Sequence, residues 1–359
     1  MYKEKKDIDW KNLGFSYMST DKRYVSHYKD GAWDEGALVE DDTVNINECA
    51  GILQYCQECF EGLKAYTTKK GEVVTFRADL NAKRIHDSAK YLEMPAFDED
   101  RFIEAVESVL RANYAWIPPY GSGATFYIRP YEFASGPVIG VKPSDEYQFR
   151  IFGMPVGPYF KGGIKPLNIC ISKFDRAAKH GTGHIKAGLN YAMSLYAITD
   201  AHEHGYAMSL HAYMDAKARG FDENMYLDSA TRTYVEETGG ANFIFVTKDN
   251  EVVTPKSDTI LPSVTRRSLL YVAEHYLGLK VCERAINVNE LKDFEEAGLC
   301  GTAAVISPVG RIVTEEGKEI LLPSGMEGMG KITKKLYDTL TGIQLGDIEA
   351  PEGWIKKVM

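Results

Sequence analysis

The sequence predicts a mixed α+β protein of two domains, and three observations carry that prediction. At 359 residues the chain should hold two domains, or one large one. Short β-branched and aromatic runs alternate with longer stretches of helical periodicity, the pattern of a mixed α+β or α/β chain. The stretch Pro155-Val156-Gly157-Pro158-Tyr159-Phe160-Lys161-Gly162-Gly163 interrupts both kinds of element, because its prolines and glycines break helix and strand alike. The expected layout is a smaller α+β domain over 1–154, a linker over 155–166 and a larger domain over 167–359.

In chain order, 62–66 and 73–77 have strand character and are separated by the turn-forming Lys70-Gly71. Residues 79–94 read as a helix with Asp79 as its N-cap, since Leu80, Ile85, Ala89 and Leu92 recur at helical spacing. A second helix is expected over 101–117, with Phe102, Val106, Val109 and Leu110 along one stripe. Strands follow at 124–130 and 147–152. Beyond the linker, 167–172 is a strand, and the segment after Lys186 opens a helix. Strands are expected at 224–228, 233–237 and 243–247. A helix over 266–278 ends in Gly278, a small-residue turn over 299–304 leads into an apolar strand, and 332–343 forms the last helix.

Composition bounds the chemistry. A net charge of −9 disfavours nucleic acid or an anionic membrane as the main partner. No run of about 18 apolar residues exists to span a bilayer. The N-terminus is charged with no apolar core behind it, so no secretory signal is expected. Six scattered cysteines suit a reducing compartment. Cys56-Gln57-Glu58-Cys59 is a single C-x-x-C without a second pair, so it reads as incidental thiols over zinc. His202-Glu203-His204 reads as a solvated helix end, and no metal is expected.

The segment His180-Gly181-Thr182-Gly183-His184-Ile185-Lys186-Ala187-Gly188 sets one lysine among small residues, where a bulky ligand meets no side chain. A lysine amine becomes a nucleophile once its surroundings lower its pKa. The order of residues does not fit a nucleotide loop, which needs Ser or Thr directly after the lysine. Four other features are suited to a phosphorylated ligand. Ser263 to Thr265 open a helix, whose first N–H groups bind anions. Gly301-Thr302 is a turn with a hydroxyl, Arg84 offers a guanidinium fork, and Glu237 precedes Gly239-Gly240 at a strand end.

These motifs occur in one order: Phe60-Glu61-Gly62-Leu63-Lys64-Ala65-Tyr66, Arg84-Ile85-His86-Asp87, Tyr127-Ile128-Arg129-Pro130, Lys186-Ala187-Gly188-Leu189-Asn190-Tyr191, Glu237-Thr238-Gly239-Gly240, Leu261-Pro262-Ser263-Val264-Thr265 and Gly301-Thr302-Ala303. In that order and spacing the chain resembles the branched-chain amino-acid aminotransferases, of fold type IV among the pyridoxal-phosphate enzymes, from about Gly14 to Ile343. The resemblance implies a small N-terminal α+β domain and a larger domain with a β-barrel-like core and helices. It implies that Lys186 holds pyridoxal 5'-phosphate as a Schiff base and shuttles the substrate proton, and that Glu237 faces the pyridine nitrogen. Tyr191 then reaches the phenolic oxygen, and Arg84, Val264, Thr265 and Thr302 bind the phosphate with Arg176 nearby. Tyr127 and the N–H groups of Thr302 and Ala303 take the α-carboxylate. Tyr55, Phe60 and Tyr159 box the branched side chain, and Arg129 takes the distal carboxylate of glutamate.

The resemblance further implies a cytoplasmic homodimer, with the site between the domains at the dimer interface. The implied reaction is reversible transfer of the amino group between leucine, isoleucine or valine and 2-oxoglutarate. D-amino-acid aminotransferases and aminodeoxychorismate lyases of the same fold are the nearest alternative, and a non-catalytic thiol- or metal-binding protein built on Cys56 and Cys59 is a remote one. The sequence departs from its relatives at Leu189, where a second glycine is usual, and at Gly240, where some have a hydroxyl residue. Ala304 and Ser307 replace a cysteine pair seen in some members, and 202–222 reads as extra sequence.

Overall fold

The structure, a computed structural model, describes residues 4–157, 164–204 and 221–359. Tyr159 and most of the extra segment lie outside the described residues. The chain forms two compact units: Met1–Lys161 with Ile185–Gly188 and Gly342–Met359, and Gly162–His184 with Leu189–Thr341. The units are therefore interleaved in sequence, whereas the expected ranges were each continuous. Two sets of long-range backbone bonds account for this. The Lys186 carbonyl accepts from Phe60 N–H at 3.0 Å, and the C-terminal Ile355–Lys357 pairs with Val74–Phe76. No local periodicity encodes either.

In the first unit the elements run β1 (Arg23–Lys29), β2 (Ala32–Trp33), β3 (Ala37–Val39), α1 (Gly51–Tyr55), β4 (Glu58–Phe60), β5 (Leu63–Thr67), β6 (Val73–Phe76), α2 (Ala78–Tyr91), α3 (Glu99–Ala112), β7 (Thr125–Ala134) and β8 (Tyr147–Val156). The second unit continues with β9 (Leu167–Ile171), α4 (Gly188–His204, its first residue counted with the first unit), β10 (Glu223–Met225), β11 (Asn242–Thr247), β12 (Val252–Pro255), α5 (Val264–His275), β13 (Val281–Arg284), β14 (Phe294–Gly301), β15 (Val305–Val313), β16 (Glu319–Leu321) and α6 (Lys331–Leu345). The closing strand β17 (Ile355–Lys357) returns to the first.

The first unit's sheet is antiparallel, in the order β17-β6-β5-β7-β8-β1-β2, with β3 on β1 and β4 on β7. Strand alternation puts Phe126 and Ile128 of β7, with Phe149 and Ile151 of β8, into a core closed by α2 and α3. Helix α3 forms because Phe102, Ala105, Val106, Val109 and Leu110 make one buried stripe, each large side chain contributing about 1.5–3 kcal/mol. Its N-cap is Asp98, which accepts from Arg101 N–H at 2.9 Å, so it starts two residues before the expected 101 and ends at Ala112. For α2 the expected cap is corrected. Arg77 occupies the N-cap position in the left-handed region, and Asp79 lies inside the first turn, where its charge still favours the helix dipole.

The second unit holds a mixed sheet in the order β10-β9-β15-β14-β11-β12-β13, with β16 on β15. Phe243, Phe245 and Phe294 stack in its core. The expected strand over 233–237 is present only as isolated bridges, Tyr234 with Asn287, Val235 with Leu227 and Glu237 with Asn242. Strand β14 extends to Gly301, which confines the expected turn to 302–304. Glu296 on β14 caps α6 by accepting from Ile332 and Thr333 N–H, a non-local partner that sequence spacing does not reveal. Among the described residues no helix is long and apolar enough to cross a membrane.

Candidate active site

Within the first unit, the sheet face opposite the helices carries Tyr127 and Arg129, alternate residues of β7. Phe60 joins them because β4 pairs with β7 in the register Phe60↔Tyr131. Arg129 donates to the Tyr127 hydroxyl from Nη2 at 2.7 Å and from Nε at 3.2 Å. Its guanidinium carbon lies 4.7 Å from the Phe60 ring centroid, and Lys186 Nζ lies 4.6 Å from the same centroid. One aromatic quadrupole therefore serves two cations.

The lysine segment is fastened to this unit through its backbone. Lys186 N–H donates to Ser88 Oγ at 3.1 Å, its carbonyl accepts from Phe60, and Gly188 N–H donates to Glu58 Oε1. A Cβ at Gly188 would lie 1.9 Å from Glu58 Oε1, so a larger residue there would displace the Glu58 carboxylate. Burial pushes the Glu58 carboxyl upward, opposed by that N–H and by the charges of Arg129 and Lys186. The small residues near the lysine thus make room for protein groups as well as for any ligand.

Lys64 belongs to the same face, since β5 pairs with β7 in the register Lys64↔Tyr127. Desolvation lowers its amine to about 8. Sequence reasoning passed over it, although its place in the Phe60–Tyr66 motif was the available signal. Arg84 on α2 is buried, and its Nε and Nη2 meet the fully buried Glu61 at 2.6 and 2.8 Å, with Asn81 Nδ2 adding 2.7 Å. Tyr55 stands apart on α1, with an exposed ring and its hydroxyl donating to the Ile139 carbonyl.

In the second unit Glu237 is the centre. The Thr238 hydroxyl accepts from Gly240 and Ala241 N–H, closing a tight turn. That turn returns the chain so that Asn242 Nδ2 donates to Glu237 Oε2. Oε1 takes Leu261 N–H at 2.9 Å and Arg176 Nη2 at 2.6 Å. Arg176 also donates to the Thr259 and Gly183 carbonyls. A side chain on Gly183 would meet Thr259 O at 2.3 Å, so its glycine secures this approach. Arg176, which the resemblance sets near the phosphate, bonds here to the glutamate.

Glu237 and Arg176 are only 3% and 5% exposed. Burial pushes the Glu237 carboxyl up to about 7, with Arg176, the Leu261 N–H and Arg266 opposing it. The short ion pair alone would favour the carboxylate. Burial removes the water that stabilises it, and that effect wins. Glu237 therefore binds a proton near neutrality.

Ser263 caps α5, its Oγ accepting from Arg266 N–H at 3.1 Å and its carbonyl from Arg267 N–H. Val264 and Thr265 occupy the first turn, whose N–H groups lack intrahelical acceptors. Thr302 and Ala303 form the turn after β14, and Val305 directly beyond has φ +64°. A β-branched residue there stores about 1–3 kcal/mol, a sign that the turn's shape is enforced by its surroundings. Tyr191 is half-buried in the first turn of α4. Its neighbour Asn190 exchanges two 2.7 Å bonds with Thr182 and so ties the helix to the preceding loop.

The C-x-x-C does not assemble a site. Cys56 is exposed in a left-handed turn and Cys59 is fully buried, its thiol pushed well above the usual range by burial. Among the described residues no group of three or more His, Cys, Asp or Glu could hold a metal.

The family model for class IV amino-transferases matches residues 195–312. A branched-chain-amino-acid aminotransferase of Haemophilus influenzae is 49% identical over 98% of this chain and 99% of that protein. One of Helicobacter pylori is 46% identical over 98% of both. The crystal structure of the Escherichia coli branched-chain amino acid aminotransferase superposes with a TM-score of 0.75 at 26% identity, covering 95% of this chain and all of the other.

Proposed function

This chain belongs to the branched-chain-amino-acid aminotransferases, and we propose on that premise that its substrates are leucine, isoleucine and valine with 2-oxoglutarate. The amino group moves reversibly between them with pyridoxal 5'-phosphate as cofactor. When bound, that cofactor supplies an electron-accepting ring that spreads negative charge from the substrate Cα.

The residues present fit such a group. A phosphate matches the first turn of α5 at Val264 and Thr265, with its orphan N–H groups and dipole, and the hydroxyl of Thr302. Arg84, whose guanidinium is oriented by Glu61, is the further phosphate ligand that the family resemblance implies. Glu237, as the carboxylate, would favour a proton on the ring nitrogen, and Arg176 and Asn242 fix its two oxygens. Tyr191 serves the phenolic oxygen.

Lys186 Nζ takes and returns the proton at the substrate Cα. Tyr127 and the N–H groups of Thr302 and Ala303 hold the α-carboxylate. Phe60 receives the branched side chain, and Arg129 receives the distal carboxylate of glutamate; for Tyr55 and Tyr159 the same role rests on the family resemblance alone. One observation supports this division of labour most strongly: Phe60 carries both Lys186 Nζ and Arg129 within 5 Å of its ring, so apolar and charged contacts share one wall.

A homodimer is part of the proposal, supported by exposed apolar residues such as Ile139 and Val141, surface that association would cover. A cytoplasmic setting is supported by the six unbridged cysteines. Loading the protein with pyridoxal 5'-phosphate, reducing with borohydride and mapping peptides should place the label on Lys186. A colourless protein, or a label on another lysine, overturns the assignment. Half-reactions with L-leucine, D-alanine and aminodeoxychorismate should proceed only with L-leucine.

A further inference from the structure

Glu58 has no role in the residue assignments above, yet its carboxylate accepts directly from the lysine segment. It lies two residues before Phe60 on β4, so both side chains leave the same face of the strand. Its Oε1 receives the N–H of Gly188, two residues after Lys186. The absence of a side chain at Gly188 is what admits the carboxylate so closely. Lys186 and Arg129 share the Phe60 ring at 4.6 and 4.7 Å. Glu58 is half-buried, and the Gly188 N–H with the charges of Arg129 and Lys186 favour its ionised form against the cost of burial, so its charge acts on both cations with limited screening by water.

We propose that Glu58 is a positioning and specificity-setting residue: it pins the backbone behind Lys186 and supplies the negative charge that balances Arg129 when an apolar substrate is bound. The inference rests on the reading that Arg129 receives the distal carboxylate of glutamate. Two tasks follow from one side chain. The Gly188 bond fixes where α4 begins and hence where the lysine amine stands. The charge competes with an incoming dicarboxylate for Arg129, so the pocket does not bind glutamate or 2-oxoglutarate too tightly to release it for a branched partner. A pocket serving both side chains needs such a counter-charge, because an uncompensated buried guanidinium disfavours the apolar one.

Glu58→Gln and Glu58→Ala separate the tasks, since glutamine keeps an oxygen for Gly188 N–H and loses the charge. The measurements are hydrogen exchange at the Gly188 amide, calorimetric binding of two unreactive acids (glutarate and 4-methylpentanoate) to the cofactor-loaded protein, and KM with kcat for glutamate and leucine. In Glu58→Gln, Gly188 should stay protected, glutarate should bind about 3- to 10-fold tighter and 4-methylpentanoate about 3- to 10-fold weaker than to the parent. The glutamate KM should fall alongside glutarate binding. In Glu58→Ala, Gly188 should lose protection and kcat should drop by about tenfold or more with both substrates. Unchanged glutarate binding in Glu58→Gln overturns the charge role, and a protected Gly188 with parental kcat in Glu58→Ala overturns the positioning role. If glutarate binds no better than 4-methylpentanoate to an Arg129→Gln protein and to the parent alike, the reading of Arg129 fails instead, while Gly188 exchange still decides the anchor.

Discussion

Replacing Glu237 by glutamine separates the two things that burial does to this residue. In the cofactor-free protein the carboxyl sits at about 7 against an ordinary 4.5, a gap worth about 3 kcal/mol. The folded pKa is raised, so this stabilisation is fully present below pH 4.5 and is lost as pH rises through about 7. Glutamine has no such titration. It also brings a donor NH2 to a position where Arg176, Leu261 N–H and Asn242 Nδ2 already point as donors. Leaving one of them unmet costs about 1–3 kcal/mol. Urea unfolding of the cofactor-free protein between pH 4.5 and 8 should show the Glu237-linked fall in stability in the parent and its absence in Glu237→Gln. With cofactor, kcat for leucine should fall by about 10²–10³-fold, the scale of a lost charge-stabilising group. Parallel pH profiles for the two proteins, or a kcat within about threefold of the parent, would refute the reasoning.

Arg129→Gln should raise the KM for glutamate by about 10- to 100-fold, the worth of a charge-assisted bond, and leave that for leucine within about threefold; equal losses in steady-state kinetics would count against its role. Gly188→Ala places a Cβ 1.9 Å from Glu58 Oε1, so melting should show a loss of about 1–3 kcal/mol, and an unchanged midpoint would mean that Glu58 can move aside. Lys64, lowered to about 8 from 10.5 by desolvation, binds fewer protons folded than unfolded between those values. Stability should therefore rise as pH goes from about 8 to 10.5, by at most about 2 kcal/mol because its side chain keeps some solvent contact. Lys64→Met should flatten that slope in denaturant titrations.

The order and spacing of its motifs made the family legible in the sequence, because the residues proposed for the site sit in short local signatures: a lysine followed by Ala187-Gly188, a glutamate before Gly239-Gly240, and the start of α5 behind a capping serine. The helices were legible for a related reason. The stripe of Phe102, Val106, Val109 and Leu110 is a local consequence of helical pitch, and so survives without tertiary context. What the sequence left unread depends on contacts between distant residues. The strands β1–β3 carry no clean alternation, and they form because β1 pairs with β8 more than a hundred residues later. The cap of α6 comes from Glu296 on another element. Arg176 belongs on Glu237 only because Thr259 and Gly183 aim their carbonyls at it. The proton affinity of Glu237, the two cations on Phe60 and the anchoring of Gly188 by Glu58 were likewise decided by tertiary structure. Charge and burial are properties of a place in space, and a sequence fixes that place only through the whole fold.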